Sequence, residues 1–322
     1  MNELHYAYAV ARVRCLETKL LTKQDLQQLV AAPDLEQALT YLNSKGWAID
    51  RGDYIAASSG LTDEAWRLVM SLITEDKGIL DSYLVFNDFH NLKAAVKAKF
   101  TGVDAKGLMV APSVISADKI IAAVNEHDFS SLPGYMIEPT EKAYEYAMQA
   151  HNGQRSDIEL DRGAMKAAVL LADKTGVRLL SDVARLRCDC ADAKTAVRAV
   201  QTKKNEEFLD AAIGGYGKLD KSELISAALD GLDKVGSVLT SSGYDALASA
   251  LNGEANEFEK SCDNALMDLL RPEKYNSFGI GPLLSYCVAL ETEVTNIKVI
   301  LSCKHNGLSN DEIERRLRDL YV

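Results

Sequence analysis

The sequence predicts an all-α protein, on three observations. Proline occurs only 6 times in 322 residues, whereas the helix-favouring Ala, Leu, Glu and Lys are abundant. Apolar residues recur at helical spacing near both ends, and no segment alternates with a period of two. Finally, one pattern recurs three times along the chain: an acid, then Asn or Asp three residues later, then Lys five residues after the acid.

Helices are predicted first at the two ends. Near the start, one helical face carries Leu4, Tyr8, Ala11 and Cys15. A second amphipathic helix follows Pro33, with apolar positions at Leu35, Ala38, Leu39 and Leu42. Asp34 is placed to cap its first turn. At the far end, Ser309 and Glu312 have the spacing of a capping box. We expect them to begin a last helix whose apolar face carries Ile313, Leu317 and Leu320.

The repeated pattern predicts three tandem copies of one domain. The structural repeat positions are Asp88, Asn91 and Lys93; Asp189, Asp192 and Lys194; and Glu293, Asn296 and Lys298. The first acids are 101 and 104 residues apart, each about a third of the chain. The predicted domains are 1–110, 111–213 and 214–322. They could surround a pseudo-threefold axis with a central opening, or lie in a line.

Each repeated segment has the apolar stripe of a helix. The stripes are Phe89, Leu92 and Val96; Cys190, Ala193 and Val197; and Val294, Ile297 and Leu301. The acid and the residue at +3 are neighbours on one face and could share hydrogen bonds. They could also be solvated side chains that border a packing face. The Lys at +5 points elsewhere.

Domain boundaries are predicted near 102–112 and 213–218. The second contains Gly214-Gly215-Tyr216-Gly217, whose composition is typical of a flexible joint.

Charge and cysteine usage limit the class of protein. The net charge is −11, so nucleic-acid binding would need a basic patch that the sequence does not reveal. Six cysteines without CxxC pairs or a disulfide framework, and no signal peptide, predict a reduced, cytoplasmic protein. We expect Cys15, Cys287 and Cys303 to be buried. The longest apolar stretch, about 280–290, is too short to cross a bilayer, so any membrane association is predicted to be peripheral.

The sequence offers no credible active site, cofactor site or metal site. The Gly214–Gly217 run lacks a phosphate-binding signature, and His127-Asp128 is expected to be an exposed loop pair. Cys188 and Cys190 flank Asp189, and we expect one buried and one partly exposed thiol. Glu159 and Asp161 could form an acid–base pair, but acids gathered at a helix start explain them. The predicted site therefore has no catalytic, cofactor-binding or metal-ligating residue.

Several segments together resemble the C subunit of the prokaryotic V/A-type rotary ATPase, whose eukaryotic counterpart is the d subunit. They are YAYAVARVR at 6–14, NLKAAVKAK at 91–99, PLLSY at 282–286, NIK at 296–298 and GLS at 307–309. The resemblance runs from end to end. The middle repeat departs from it most, because Asp192 stands in place of Asn.

This resemblance implies an all-helical, funnel-shaped protein of three similar domains. It implies a non-catalytic central-stalk component on the cytoplasmic face of the membrane, which links the rotor shaft to the membrane rotor-ring proteolipid. Such a component transmits torque between ATP chemistry and ion movement. The alternatives are a free-standing helical-repeat adaptor and a carboxylate metalloenzyme. The residues distinguish neither ATP synthesis from hydrolysis nor proton from sodium transport.

Overall fold

The computed structural model describes residues 3–49, 54–253 and 255–322, and within them it confirms the all-α prediction. The first helices are α1 (Ala7–Glu17), α2 (Lys23–Ala31), α3 (Leu35–Ser44), α4 (Tyr54–Leu72), α5 (Asp81–Thr101) and α6 (Ala117–Glu126). The middle ones are α7 (Gly134–Met148), α8 (Gly153–Thr175), α9 (Arg178–Thr202), α10 (Glu206–Ala212) and α11 (Lys221–Asp230). The last are α12 (Leu232–Ser241), α13 (Asp245–Ala250), α14 (Ala255–Leu270), α15 (Gly281–His305) and α16 (Asn310–Arg316).

The chain folds into two compact units. One consists of Met1–Lys77 with Ala250–Val322, and the other of Gly78–Ser249. The first unit therefore joins the beginning and the end of the chain. The predicted division into domains 1–110, 111–213 and 214–322 has different boundaries and stays a prediction.

In the first unit, the long helix α15 packs against α1, α3, α4, α14 and α16. Its Ile297, Ile300 and Leu301 are fully buried in one apolar cluster with Leu29 and Leu42 from α2 and α3. The indole nitrogen of Trp66 in α4 donates to the Glu291 carboxylate, 2.7 Å away. These contacts fix the face of α15 that carries the third repeat.

In the second unit, α8 packs against α5, α7 and α9. Gly163 allows α8 to approach α5 and α7 closely, because a Cβ at this position would lie 2.7 Å from the Phe89 ring and 2.8 Å from the Pro139 Cβ. Contacts that short leave no room for a methyl group. The packing orients α5 and α9, which carry the first two repeats.

The predicted helix starts are confirmed in detail. Asp34 accepts a hydrogen bond from the Gln37 N–H and caps α3, whose Leu35, Ala38, Leu39 and Leu42 are buried. Ser309 and Glu312 form the expected capping box at the start of α16. This last helix is shorter than predicted, because it ends at Arg316 and the chain continues in extended form at Leu317. Leu320 therefore lies outside it.

The helical face predicted near the start of the chain is an exposed face of α1, so the expected burial of Cys15 is wrong. Ala9, Val10 and Val13 are the buried residues of α1, whereas Tyr8 is 70% exposed and Ala11 and Cys15 are also exposed. The side chain of Leu4, the first predicted position, lies outside the described part of the chain. A stripe of Tyr, Ala and Cys has the helical spacing but little aliphatic surface, so the Val-containing face packs inward instead. Cys287 and Cys303 are buried as expected.

Among the described helices, none combines the length and apolar character needed to span a bilayer.

Candidate functional site

The acid and the +3 residue of every repeat are buried on α5, α9 and α15. All six side chains are at most 1% exposed: Asp88, Asn91, Asp189, Asp192, Glu293 and Asn296. Polar groups this deeply buried require hydrogen-bond partners. Most of the partners are backbone groups of segments that connect helices, and we refer to each such set of contacts as a latch.

The first latch holds the segment after α5. The Asn91 side-chain nitrogen donates to the Val110 carbonyl at 3.0 Å, and the Val110 N–H donates back to Asn91 Oδ1 at 2.8 Å. Five residues further on, the Ile115 N–H donates to Asp88 Oδ1 at 2.9 Å. One helix face thus satisfies backbone groups of a connecting segment that lies between two helical elements of the described chain.

The second latch holds the glycine-rich segment after α10. The Gly214 and Gly215 N–H groups each donate to one oxygen of Asp192 at 2.8 Å. The Lys218 and Leu219 N–H groups donate to the two oxygens of Asp189, both at 2.9 Å. The Tyr244 hydroxyl adds a third bond to Asp189 at 2.6 Å.

The expected flexible joint is therefore an anchored segment. Gly217 sits so close to the Asp189 carboxylate that a Cβ there would overlap it. At Gly215, φ is +68°, in the left-handed region that favours glycine. These glycines allow the backbone to turn and approach the buried carboxylates.

The departure of the middle repeat from Asn to Asp has a structural reason. Asn91 faces one N–H and one carbonyl, which an amide satisfies with its oxygen and its nitrogen. Asp192 faces two N–H groups, which only a carboxylate satisfies with both oxygens. The residue at +3 thus matches the donors and acceptors of its own connecting segment.

The third latch holds the two ends of the chain within the first unit. Asn296 makes the same reciprocal pair as Asn91, here with Arg318, at 3.0 Å and 2.8 Å. Glu293 Oε1 accepts from the Leu21 N–H at 2.8 Å, across 272 positions of sequence. In the first two repeats the acid binds a segment that follows it in the chain. In the third repeat a segment from the start of the chain makes the equivalent contact.

The three acids bind equivalent backbone positions. Ile115, Leu219 and Leu21 each directly precede the residue that caps a short helix, and the three caps are Ser116 of α6, Asp220 of α11 and Thr22 of α2. Each acid therefore fixes the entry to a helix. This equivalence links the start of the chain to the third repeat.

Burial shifts the ionisation of Asp88, Asp192 and Glu293. The pKa of Asp88 is raised to about 7, chiefly by burial; the Ile115 and Val114 N–H groups oppose the shift and the nearby Asp81 adds to it. Burial also raises the pKa of Glu293 well above its ordinary value and raises the pKa of Asp192. Among the described residues, Asp88 Oδ2 and Glu293 Oε2 have no hydrogen-bond partner. These two orphaned oxygens favour the protonated acids.

The lysines at +5 lie away from the latches. Lys93 pairs with Asp161 at 2.5 Å, and Lys194 lines a groove in the second unit. Lys298 is half-buried, and burial lowers its pKa.

The remaining predicted candidates do not form a reactive centre. Cys188 and Cys190 are both buried, at 0% and 7% exposure, so the expectation of one partly exposed thiol is wrong. The thiol of Cys188 faces α8, where it approaches the Met165 carbonyl, and burial raises the pKa of Cys188 to about 12. His127 and Asp128 are exposed at the end of α6, as expected. Glu159 and Asp161 lie within the first half of α8, where Glu159 is near Arg155.

Within the described ranges, no three His, Cys, Asp or Glu side chains are grouped as a metal site would require.

The backbone partners of the latches were not anticipated from the sequence. The signal available was an N-cap residue or a glycine-rich segment at a similar distance after each of the first two acids, Asp88 and Asp189. Leu21 gave no such signal, because it precedes its acid Glu293 in the chain.

Sequence comparison places this chain in a known protein family. The ATP synthase (C/AC39) subunit family matches residues 9–316, and the chain belongs to this family. It is 22% identical over 317 residues to the C subunit of the V-type sodium ATPase of Enterococcus hirae, covering 96% of this chain and 97% of that protein. It is 22% identical over 341 residues to the C subunit of the A-type ATP synthase of Archaeoglobus fulgidus, with 98% and 97% covered. The corresponding protein of Desulfurococcus sp. strain SY is 24% identical over 336 residues, with 96% and 89% covered.

Proposed function

We propose that this chain is a non-catalytic central-stalk component of a rotary V/A-type ATPase. It acts as a socket that links the rotor shaft to the membrane rotor-ring proteolipid and transmits torque for ion transport coupled to ATP synthesis or hydrolysis. The family match over residues 9–316 supports this assignment. The names of the relatives support it too, since each is called the C subunit of an ATPase or ATP synthase.

The observation that carries the mechanical role is the latch on each repeated helix. A torque-bearing part must resist sliding between its helices and the segments that connect them. Buried hydrogen bonds to backbone groups resist such sliding, because breaking one leaves an unsatisfied polar group that costs about 1–3 kcal/mol. Three such latches hold the segments around residues 110–115, 214–219 and 318, together with Leu21.

The overall arrangement proposed with this function is a funnel of three similar domains, 1–110, 111–213 and 214–322. The equivalent positions of Ile115, Leu219 and Leu21 support it, because each would mark the start of one domain. The protein would lie on the cytoplasmic face of the membrane, peripheral to it. The relatives include one named for sodium and others named for ATP synthesis, so the transported ion and direction are left open.

A pulldown of the tagged full chain from detergent-solubilised membranes tests this function. The proposal predicts recovery of the central-shaft subunits and the ring proteolipid, identified by mass spectrometry. A preparation without them, at low salt and from cells that express the complex, would contradict it and favour a free-standing helical-repeat adaptor.

A further inference from the structure

A groove of about 730 Å³ runs along α9 in the second unit, bordered by α5, α8 and α10. Lys93 and Lys194, the +5 lysines of the first two repeats, both line it. The latches use neither lysine. The groove is therefore a second feature that the repeated pattern builds.

The groove carries positive charge that its own residues do not neutralise. Lys93 pairs with Asp161, and the other lining carboxylate, Asp157, is held by Lys97 at 2.8 Å. This leaves the lining cations Lys194, Arg198 and Lys204, for which no carboxylate partner is found among the described residues. The local excess contrasts with the chain's net charge of −11. A concave surface of this kind attracts anionic groups.

Two of these cations also repel each other. Lys194 and Arg198 are four residues apart on α9, a spacing that places like charges side by side on one helix face. Such a like-charged pair destabilises an isolated helix. An acidic ligand would relieve this repulsion.

The length of the groove decides the kind of ligand. Its lining on α9 extends from Ala191 to Thr202, about 16 Å at the rise of an α-helix. Lys194 and Arg198 are about 6 Å apart along the axis, and Lys204 lies beyond the end of the helix. One phosphate group is too small to contact all three cations, whereas an acidic polypeptide segment can follow them.

The floor of the groove is apolar. It includes Phe89, Ala164 and Met165, which are buried, and the half-buried rings of Phe86 and Phe208. The Lys204 ammonium lies 5.0 Å from the centre of the Phe208 ring, which places a cation and an aromatic surface together. A ligand that fits needs carboxylates on one side and an apolar side chain on the other.

We infer that this groove binds an acidic, amphipathic segment of a partner protein. The carboxylates of the segment pair with Lys194, Arg198 and Lys204, and an apolar side chain packs beside Phe208. The partner is a neighbouring protein of the rotary complex, and in this respect alone the inference rests on the proposed function.

Peptide binding to the purified full chain tests the groove directly. The probe is a dye-labelled, 14-residue amphipathic peptide with Glu on one face and Leu on the other, followed by fluorescence anisotropy at low salt. The double variant Lys194→Glu/Arg198→Glu is expected to weaken binding about tenfold or more. The control Lys119→Glu/Lys174→Glu makes the same charge change at exposed sites of the same unit and is expected to change binding less than about twofold.

Two results would overturn the inference. One is equal weakening by both double variants, which would show only long-range attraction. The other is displacement of the peptide by millimolar inorganic phosphate but not by chloride at equal ionic strength, which would indicate a small-anion site. Circular dichroism melts of the variants confirm that each is folded before binding is measured.

A photo-crosslinking amino acid at position 208 of the full chain identifies the partner segment in detergent-solubilised complex. An Asp- and Glu-rich peptide of another protein of the complex is expected, and it should be lost in Lys194→Glu/Arg198→Glu. If the complex co-purifies but position 208 links to no acidic segment, the groove inference fails while the proposed function stands. If the complex does not co-purify, the proposed function fails and the peptide measurement alone decides the groove.

Discussion

Replacing Gly217 with alanine is expected to destabilise the second unit by about 3 kcal/mol. The new Cβ would overlap the carboxylate of Asp189. That carboxylate cannot move aside, since it is held by the Lys218 and Leu219 N–H groups and the Tyr244 hydroxyl. Urea unfolding followed by circular dichroism measures the loss. Hydrogen exchange at the Lys218 and Leu219 amides should show it locally as faster exchange.

Gly107→Ala is the matched control in the same unit. It lies in an exposed turn at Lys106–Leu108, and a Cβ there would meet no atom within 4 Å. Its free energy of unfolding is expected to change by less than about 0.5 kcal/mol. Equal effects of the two substitutions would show that the approach of Gly217 to Asp189 does not stabilise the segment.

Asp88→Asn is expected to stabilise the protein relative to wild type increasingly as the pH rises from about 4 to about 7. The pKa of Asp88 is raised to about 7, chiefly by burial, whereas an unfolded Asp titrates near 3.9. Between these values the folded wild type binds a proton that the unfolded chain has lost, so wild-type stability falls with rising pH. Asparagine keeps an oxygen for the Ile115 N–H and has no charge to bury. The difference between the two proteins should therefore grow by up to about 1.4 kcal/mol per pH unit in this window.

Unfolding free energies at pH 4, 5.5 and 7 measure this difference. Gln201→Asn, at an exposed and non-ionisable position near the end of α9, is the control and should give a difference that does not vary with pH. A pH-independent difference for Asp88→Asn as well would mean that Asp88 is ionised in the folded protein throughout the range.

The sequence predicted what depends on local spacing. The caps at Asp34 and Ser309, the three repeated helices and the all-α class follow from residues within a few positions of one another. A capping hydrogen bond joins residues no more than three positions apart, so the local sequence is enough to predict it.

The latches depend on contacts that local spacing does not reveal. Asn91 binds Val110 across 19 positions and Glu293 binds Leu21 across 272. The sequence therefore left two interpretations of the repeat open, a hydrogen-bonding face and a solvated border. Composition misled at Gly214–Gly217, because glycine permits close approach as well as flexibility. Residue type was also a poor guide at Cys15, which is exposed, and at Cys190, which is buried. The exposure of a small side chain depends on which face of its helix packs against a neighbouring helix.

The proposed torque-transmitting role is tested most directly by the coupling between ATP hydrolysis and ion transport in membrane vesicles that lack this chain. We expect that the catalytic head still hydrolyses ATP, that ATP-driven ion uptake is lost, and that adding back the purified full chain restores uptake. Ion uptake that persists at the wild-type rate per ATP hydrolysed in its absence would contradict the proposed role.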